Sequence, residues 1–197
     1  ISPLYGGTFI DCTFGQGGYS KKILENNNNK VFAIDRDSNS IKIANKLKKK
    51  YTNRFEFQNI KFSEILNIDK SFKNLKGIIF DLGFSTTQIK DSKKGLSFNS
   101  IGKLNMQMGL NDISAHDVIN NLDSRELTSI FSKFGEENYA KIISKKIIDF
   151  RKNQQIKTED LVNIINLIKK KKFTRIHNAT KVFQALRIIV NNEISEL

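Results

Sequence analysis

The sequence has one cysteine, one proline and no apolar run near the roughly 18 residues that a membrane helix needs. A single cysteine excludes an internal disulfide framework and suits a reducing compartment, so a cytoplasmic location is expected. No basic-then-apolar leader is visible. Ile1 is not a natural start, so residues ahead of it are expected to have been cut. Strand signals are absent after residue 82, and there is no internal repeat or long linker. What is present is a globular balance, 39% hydrophobic and 27% charged over 197 residues. That length suits one domain, or one domain with a large insert, and buries roughly 70% of the unfolded surface.

Positive charge is abundant. Lys and Arg total 33 against 20 Asp and Glu, a formal net charge of +13. Cationic surface attracts phosphate, but 27 of the basic residues are Lys and only 6 are Arg. With Asn and Ile also abundant, an AT-rich coding bias explains the total equally well. Placement is more informative than the total. Residues 133–175 hold 12 basic and 5 acidic residues, a surplus of 7 in under a quarter of the chain. Uneven placement favours a phosphate-facing segment, in which the run Lys169–Lys172 is the densest part.

Short apolar runs alternate with amphipathic stretches through residue 82. Thr8–Thr13, Val31–Asp35, Phe55–Ile60 and Gly77–Leu82 read as strands. Residues 19–27 and 38–51 read as helices, the second capped by Asp37 or Ser38, and a short helix lies near 62–66. This order means βαβ units and a parallel sheet covered on both faces, an α/β fold. Residues 83–110 lack periodicity and are too long for an ordinary connection, so a functional loop is expected. Beyond 110 the pattern is helical, with a capping box at Asp123–Glu126 and helices over 136–152, 158–172 and 179–196.

Ligands of such sheets bind at the carboxyl ends of the strands, and three features fall there. Gly15-Gln16-Gly17-Gly18 separates the first strand from its helix, letting backbone approach a ligand. Asp35 ends the second strand, where a carboxylate can accept hydrogen bonds from both ribose hydroxyls of a nucleoside cofactor. A dinucleotide site wants G-x-G-x-x-G, but position 20 is Ser. An acidic residue in the first strand, Asp11, before a shorter glycine turn suits S-adenosylmethionine better, with NAD left as an alternative. The third feature is Asp81-Leu82-Gly83-Phe84-Ser85. A base's exocyclic amine is a poor nucleophile because its lone pair is delocalised into the ring. An acceptor such as Asp81 can draw that lone pair out of conjugation, with Ser85 orienting the acid or the base, so positioning and electrostatics supply the catalysis.

The segments DCTFGQGGYS, AIDRD, DLGFSTTQIKDSKKGLSFNSIGKLNMQM, FGEENYAKIISKKI and HNATKVFQALRIIVNNEISEL, in this order, resemble the RsmH/MraW family of bacterial 16S ribosomal RNA cytosine-N4 methyltransferases. The resemblance covers nearly the whole chain. It implies a class I S-adenosylmethionine-dependent methyltransferase, Rossmann-like. The activity implied is methylation of the N4 amine of a cytidine in the decoding region of 16S rRNA in the small ribosomal subunit. Cofactor contacts carried over by motif are Gly17, Gly18, Tyr19, Asp35, Phe62, Asp81 and Gln88, with Asp81 and Ser85 as catalytic candidates. No metal and no membrane are implied, and oligomeric state is left open. The implied domains are 1–106, the first part of the sheet domain; 107–176, a helical insert that holds RNA; and 177–197, a helix returning to the sheet domain.

Several positions depart from the family pattern. Tyr19 stands where His is usual and Cys12 where Gly is usual; the latter reads as a small buried residue rather than a reactive thiol. Thr87 and Asn178 replace prolines. The loop Leu104–Gly109 has lost two acids and an Arg, which puts its role in question. His116 and His177 read as packing or capping residues, and Arg187 either faces the cleft or pairs with Glu193. Fewer strands are present than this fold class normally has, so a fragment cut at both ends is expected, with strand 77–82 as an exposed edge. A strand from 177–197 beside it would overturn that expectation. Two other functions fit the same residues: an inactive RNA-binding assembly factor, and a small-molecule methyltransferase.

Overall fold

The computed structural model describes residues 6–68, 72–83, 94–100, 102–169 and 176–196, the side chains of 195 and 196 excepted. The chain divides into two compact units, Ile1–Gly83 with Glu196–Leu197, and Phe84–Ser195.

The first unit is a parallel sheet. Its strands are β1 (Gly7–Asp11), β2 (Asn29–Ile34), β3 (Phe55–Gln58) and β4 (Leu75–Ile79), in the order β3-β2-β1-β4. Helices α1 (Gly18–Leu24) and α2 (Asn39–Lys50) make the crossovers, and a 3-10 helix spans Phe62–Asn67. The central strands carry apolar runs, Phe9–Ile10 and Val31–Ile34, because both faces are buried there. Phe9, Val31, Ala33 and Phe55 pack with Ile23 and Leu47 on one face. On the other, Ile10, Cys12, Phe32 and Ile34 meet Phe62, Ile65 and Phe72. Asp37, one of the two caps the sequence suggests, accepts the Asn39 N–H at 3.0 Å and so opens α2.

The fourth strand differs from its expected range. It pairs only with β1 among the described residues, and it ends at Ile79, whose carbonyl accepts the Cys12 N–H at 2.9 Å. The apolar run continues to Leu82, but hydrophobicity cannot extend a ladder beyond its last partner. Asp81 therefore follows the strand instead of ending it. The expected edge is exposed: Ile78 is 45% and Phe80 49% accessible. The described part of 177–197 is helical and adds no strand.

The second unit is all helical: α3 (Ala115–Asn121), α4 (Ser124–Lys133), α5 (Ala140–Arg151), α6 (Thr158–Ile168), α7 (Thr180–Asn191) and α8 (Glu193–Glu196). The capping box at α4 forms as expected, with Asp123 accepting from Arg125 and Glu126 N–H groups while Glu126 accepts the Asp123 N–H. Leu104 and Met106, which the sequence reading assigns to the sheet domain, are buried in this helical core together with Phe131, Ile143 and Leu186 of the helices. The whole of α7 packs there too, against α3 and α4.

Two motifs carried by the resemblance prove to be packing devices in this unit. In Phe134-Gly135-Glu136-Glu137, a Cβ on Gly135 would collide with the backbone carbonyl of Lys181 and approach that of Phe131 at 2.8 Å. Only glycine lets α4 approach α7 so closely. Glu137, whose side chain is 1% exposed, accepts from Lys169 Nζ at 2.6 Å. Lys169 also donates to the Asn178 carbonyl at 2.9 Å. The first lysine of the run proposed to face phosphate is thus committed inside the fold; Lys170–Lys172 lie outside the described residues.

Candidate functional site

The site at the strand ends is built from the sheet unit. The turn after β1 requires left-handed backbone at Gly15 (φ 51°) and Gly17 (φ 73°). A Cβ on Gly17 would stand 2.9 Å from the Phe14 ring, whereas one on Gly18 would meet nothing within 4 Å. Gly18 opens α1 and Tyr19 follows it, 52% exposed.

Asp35 follows β2 and is tied to this turn. Its Oδ2 accepts the Gly15 N–H at 2.6 Å and its Oδ1 accepts the Asp37 N–H at 2.7 Å. Asn59, which the sequence reading missed, donates to the Asp35 carbonyl at 2.6 Å. Each carboxylate oxygen has two acceptor sites, so one on each remains for a ribose hydroxyl. Phe62 packs edge-on against Phe80, with ring centres 5.5 Å apart.

Asp11, the first-strand acid ahead of the glycine turn that favours S-adenosylmethionine in the sequence, has partners that the sequence does not show. It ends β1 fully buried, its Oδ2 accepting from Ser20 Oγ at 2.6 Å and its Oδ1 from the Thr13 N–H at 3.3 Å. Burial raises its pKa above the ordinary aspartate range, and the charge of Asp81 adds to that. Burial likewise raises Asp35, which also feels Asp37 and Asp11. Thr13 was missed as well: its Oγ1 accepts the Asp81 N–H at 2.8 Å, joining the ends of β1 and β4. Burial pushes the Cys12 thiol up to about 12, with help from Asp11, so it is an inert packing residue.

The structure therefore brings Gly17, Gly18, Asp35 and Asp81 to one end of the sheet, with Asp11 and Thr13 between them. Ser85 and Gln88 lie outside the described residues. Asp11 lies within electrostatic reach of both Asp35 and Asp81, and three carboxylates so grouped repel a diphosphate. They fit a ligand that carries positive charge and a diol. Among the described residues no group of His, Cys, Asp or Glu is arranged to hold a metal ion, and no helix is long and apolar enough to cross a membrane.

The residues with open roles resolve within the helical unit. The loop 104–109 is a packing segment: Leu104, Met106 and Met108 are buried. Asn191 holds it to α7, accepting the Met108 N–H at 2.9 Å and donating to the Met106 carbonyl at 2.9 Å. Arg187 forks onto Glu193 at 2.9 and 3.4 Å. His177 stacks on Phe98 at 4.2 Å and its Nδ1 accepts the Ala179 N–H.

A four-stranded parallel sheet, a glycine turn after β1 and acids at the ends of β1 and β2 define a class I S-adenosylmethionine-dependent methyltransferase fold, as the sequence predicts. The chain belongs to the MraW methylase family, whose model matches residues 1–197. It is 42% identical over 205 residues to ribosomal RNA small subunit methyltransferase H of Orientia tsutsugamushi (strain Ikeda), covering 100% of this chain and 65% of that protein. The protein of the same name from Rickettsia africae (strain ESF-5) is 39% identical over 198 residues, covering 100% of this chain and 64% of that one. That from Rickettsia canadensis (strain McKiel) is 41% identical over 199 residues, again 100% and 64%. The chain thus spans 64–65% of the length of these relatives.

Proposed function

We propose that the protein methylates the exocyclic N4 amine of a cytidine in the decoding region of 16S ribosomal RNA, with S-adenosylmethionine as donor. The observation that carries the choice of donor is the convergence of Asp11, Asp35 and Asp81 at the glycine turn. When bound, the cofactor supplies an electrophilic methyl group on a positively charged sulfonium. Asp35 would hold the ribose hydroxyls, Gly17 and Gly18 would give its methionine end close backbone approach, and Phe62 would lie near the adenine. The acids oppose the sulfonium charge, a complementarity that NAD, with its two phosphates, lacks. Asp81 would accept a hydrogen bond from the cytidine amine, holding it in line with the methyl group and keeping its lone pair out of the ring. Ser85 and Gln88 complete this reading.

Residues 107–176 are proposed as the RNA-holding insert. The outer face of α5 supports this, since Lys141, Lys145 and Lys146 are exposed beside Tyr139 and Ile142, which are 44% and 56% accessible. Lysines for phosphates with an exposed aromatic ring at the start of the same helix suit single-stranded RNA. Calorimetric titration of the full-length protein with S-adenosylmethionine and NAD tests the donor; binding of NAD alone overturns it. Mass mapping of methylated cytidines in isolated small subunits, against free cytidine, tests the substrate. Neutralising the three α5 lysines should reduce the salt slope of RNA binding by roughly one for each lysine that meets a phosphate.

A further inference from the structure

Asp81 leaves the sheet at a point where regular structure has stopped holding it. The last rung between β1 and β4 joins Cys12 N–H to the Ile79 carbonyl. Beyond it Phe80 is half exposed, Asp81 is exposed and Gly83 has φ 126°. An acid asked to hold an amine in line needs a fixed backbone, because a misplacement of about 1 Å costs roughly a hundredfold in rate. The hydroxyl of Thr13 stands where the next rung would be, accepting the Asp81 N–H at 2.8 Å.

Thr13 is itself fixed from below. Its N–H reaches Asp11 Oδ1 at 3.3 Å, and Asp11 Oδ2 is held by Ser20 Oγ at 2.6 Å inside α1. Asp11 and Ser20 are fully buried, whereas Thr13 is only partly so. The chain Ser20–Asp11–Thr13–Asp81 therefore runs from the rigid interior of α1, through the end of β1, to the exposed end of the β4 segment. We propose that Thr13 is a positioning residue for methyl transfer: its side-chain hydroxyl replaces a missing rung of the sheet and sets the backbone of Asp81 for the acceptor base. The inference rests on Asp81 acting in the proposed reaction.

Threonine and valine have the same shape, so Thr13→Val removes the acceptor oxygen without opening a cavity. The released Asp81 N–H faces solvent and finds water, so the fold loses little while the placement of Asp81 is lost. Thr13→Ser keeps the hydroxyl. The test is single-turnover methyl transfer to small subunits at saturating S-adenosylmethionine, on the full-length protein, with thermal melting of each variant. Thr13→Val should be slower by about tenfold to a hundredfold, with a melting temperature near that of the unaltered protein, and Thr13→Ser should stay within about twofold of it. If Thr13→Val transfers as fast as the unaltered protein while Asp81→Asn is slow, the positioning role falls and the reading of Asp81 survives. Equal losses for serine and valine, with lowered melting temperatures, would make Thr13 a packing residue and overturn the inference. If Asp81→Asn is itself as fast as the unaltered protein, the assignment of Asp81 fails and the inference with it.

Discussion

Lys169→Met removes one partner of a buried ion pair and leaves the other. The Glu137 side chain is 1% exposed and that of Lys169 17%, with 2.6 Å between them. After the substitution the Glu137 carboxylate keeps, among the described residues, only the Tyr139 N–H, at 3.1 Å. Stranding a buried charge in this way costs about 3–5 kcal/mol, out of a total stability of about 5–15 kcal/mol. For a unit of this size the melting temperature should fall by more than about 10 °C. Glu137→Gln should be milder, at about 1–3 kcal/mol: the amide oxygen still accepts the Tyr139 N–H, and Lys169 still donates to Asn178. The double substitution should cost less than the sum, with a coupling of about 0.5–3 kcal/mol. Thermal and urea melts followed by helical circular dichroism measure all of these. A Lys169→Met protein that melts within about 1–2 °C of the unaltered one (well inside the shift expected) would refute the reasoning. Because Lys169 is consumed by the fold, its loss should also leave the salt slope of RNA binding unchanged, in contrast to loss of the α5 lysines.

Three further outcomes are expected. Gly135→Ala should destabilise the helical unit by about 1–3 kcal/mol, because the new methyl meets backbone carbonyls that cannot move aside; a melt as high as that of the unaltered protein would contradict it. The raised pKa values of Asp11 and Asp35 mean that the folded sheet unit holds these protons to higher pH than the unfolded chain. Their contribution to stability therefore falls as pH rises from the ordinary aspartate value through the raised folded values, and then levels off. Titration calorimetry should accordingly find S-adenosylmethionine binding weaker on acidification through this range, as the acids lose charge; affinity that holds or strengthens would count against the electrostatic account. Cys12, with its thiol pushed up to about 12 by burial, should resist iodoacetamide at mildly alkaline pH until denaturant is added, as mass spectrometry of the alkylated protein would show.

The parallel sheet was legible because its central strands are apolar on both faces and separated by glycine and asparagine turns. Asp35 was legible because an acid 20 residues after Gly15 has few other reasons to end a strand. Thr13 was not, because its part depends on β4 lying beside β1, and the sequence has no local mark of that neighbour. The loop 104–109 was illegible for a related reason. Its residues show no period of their own, and what orders it is Asn191, 85 residues beyond Met106.

Local composition and periodicity by themselves determined the α/β class, the glycine turn, the helical character beyond residue 110 and the uneven placement of charge. These depend on backbone preference and on which face of an element is apolar, and both act over a few residues. Tertiary structure alone decided which charges are available. Lys169 reads as one of four like lysines, yet its ammonium is tied to the buried Glu137. Arg187 reads as a cleft residue or a partner of Glu193, and it is the partner. Asp11 reads as an acid of the first strand ahead of the glycine turn, and it is also the buried anchor beneath Thr13 and Asp81. A side chain's charge is written in the sequence, whereas its solvation and its partner are set by chain segments tens of residues away, and those two factors govern what the charge can do.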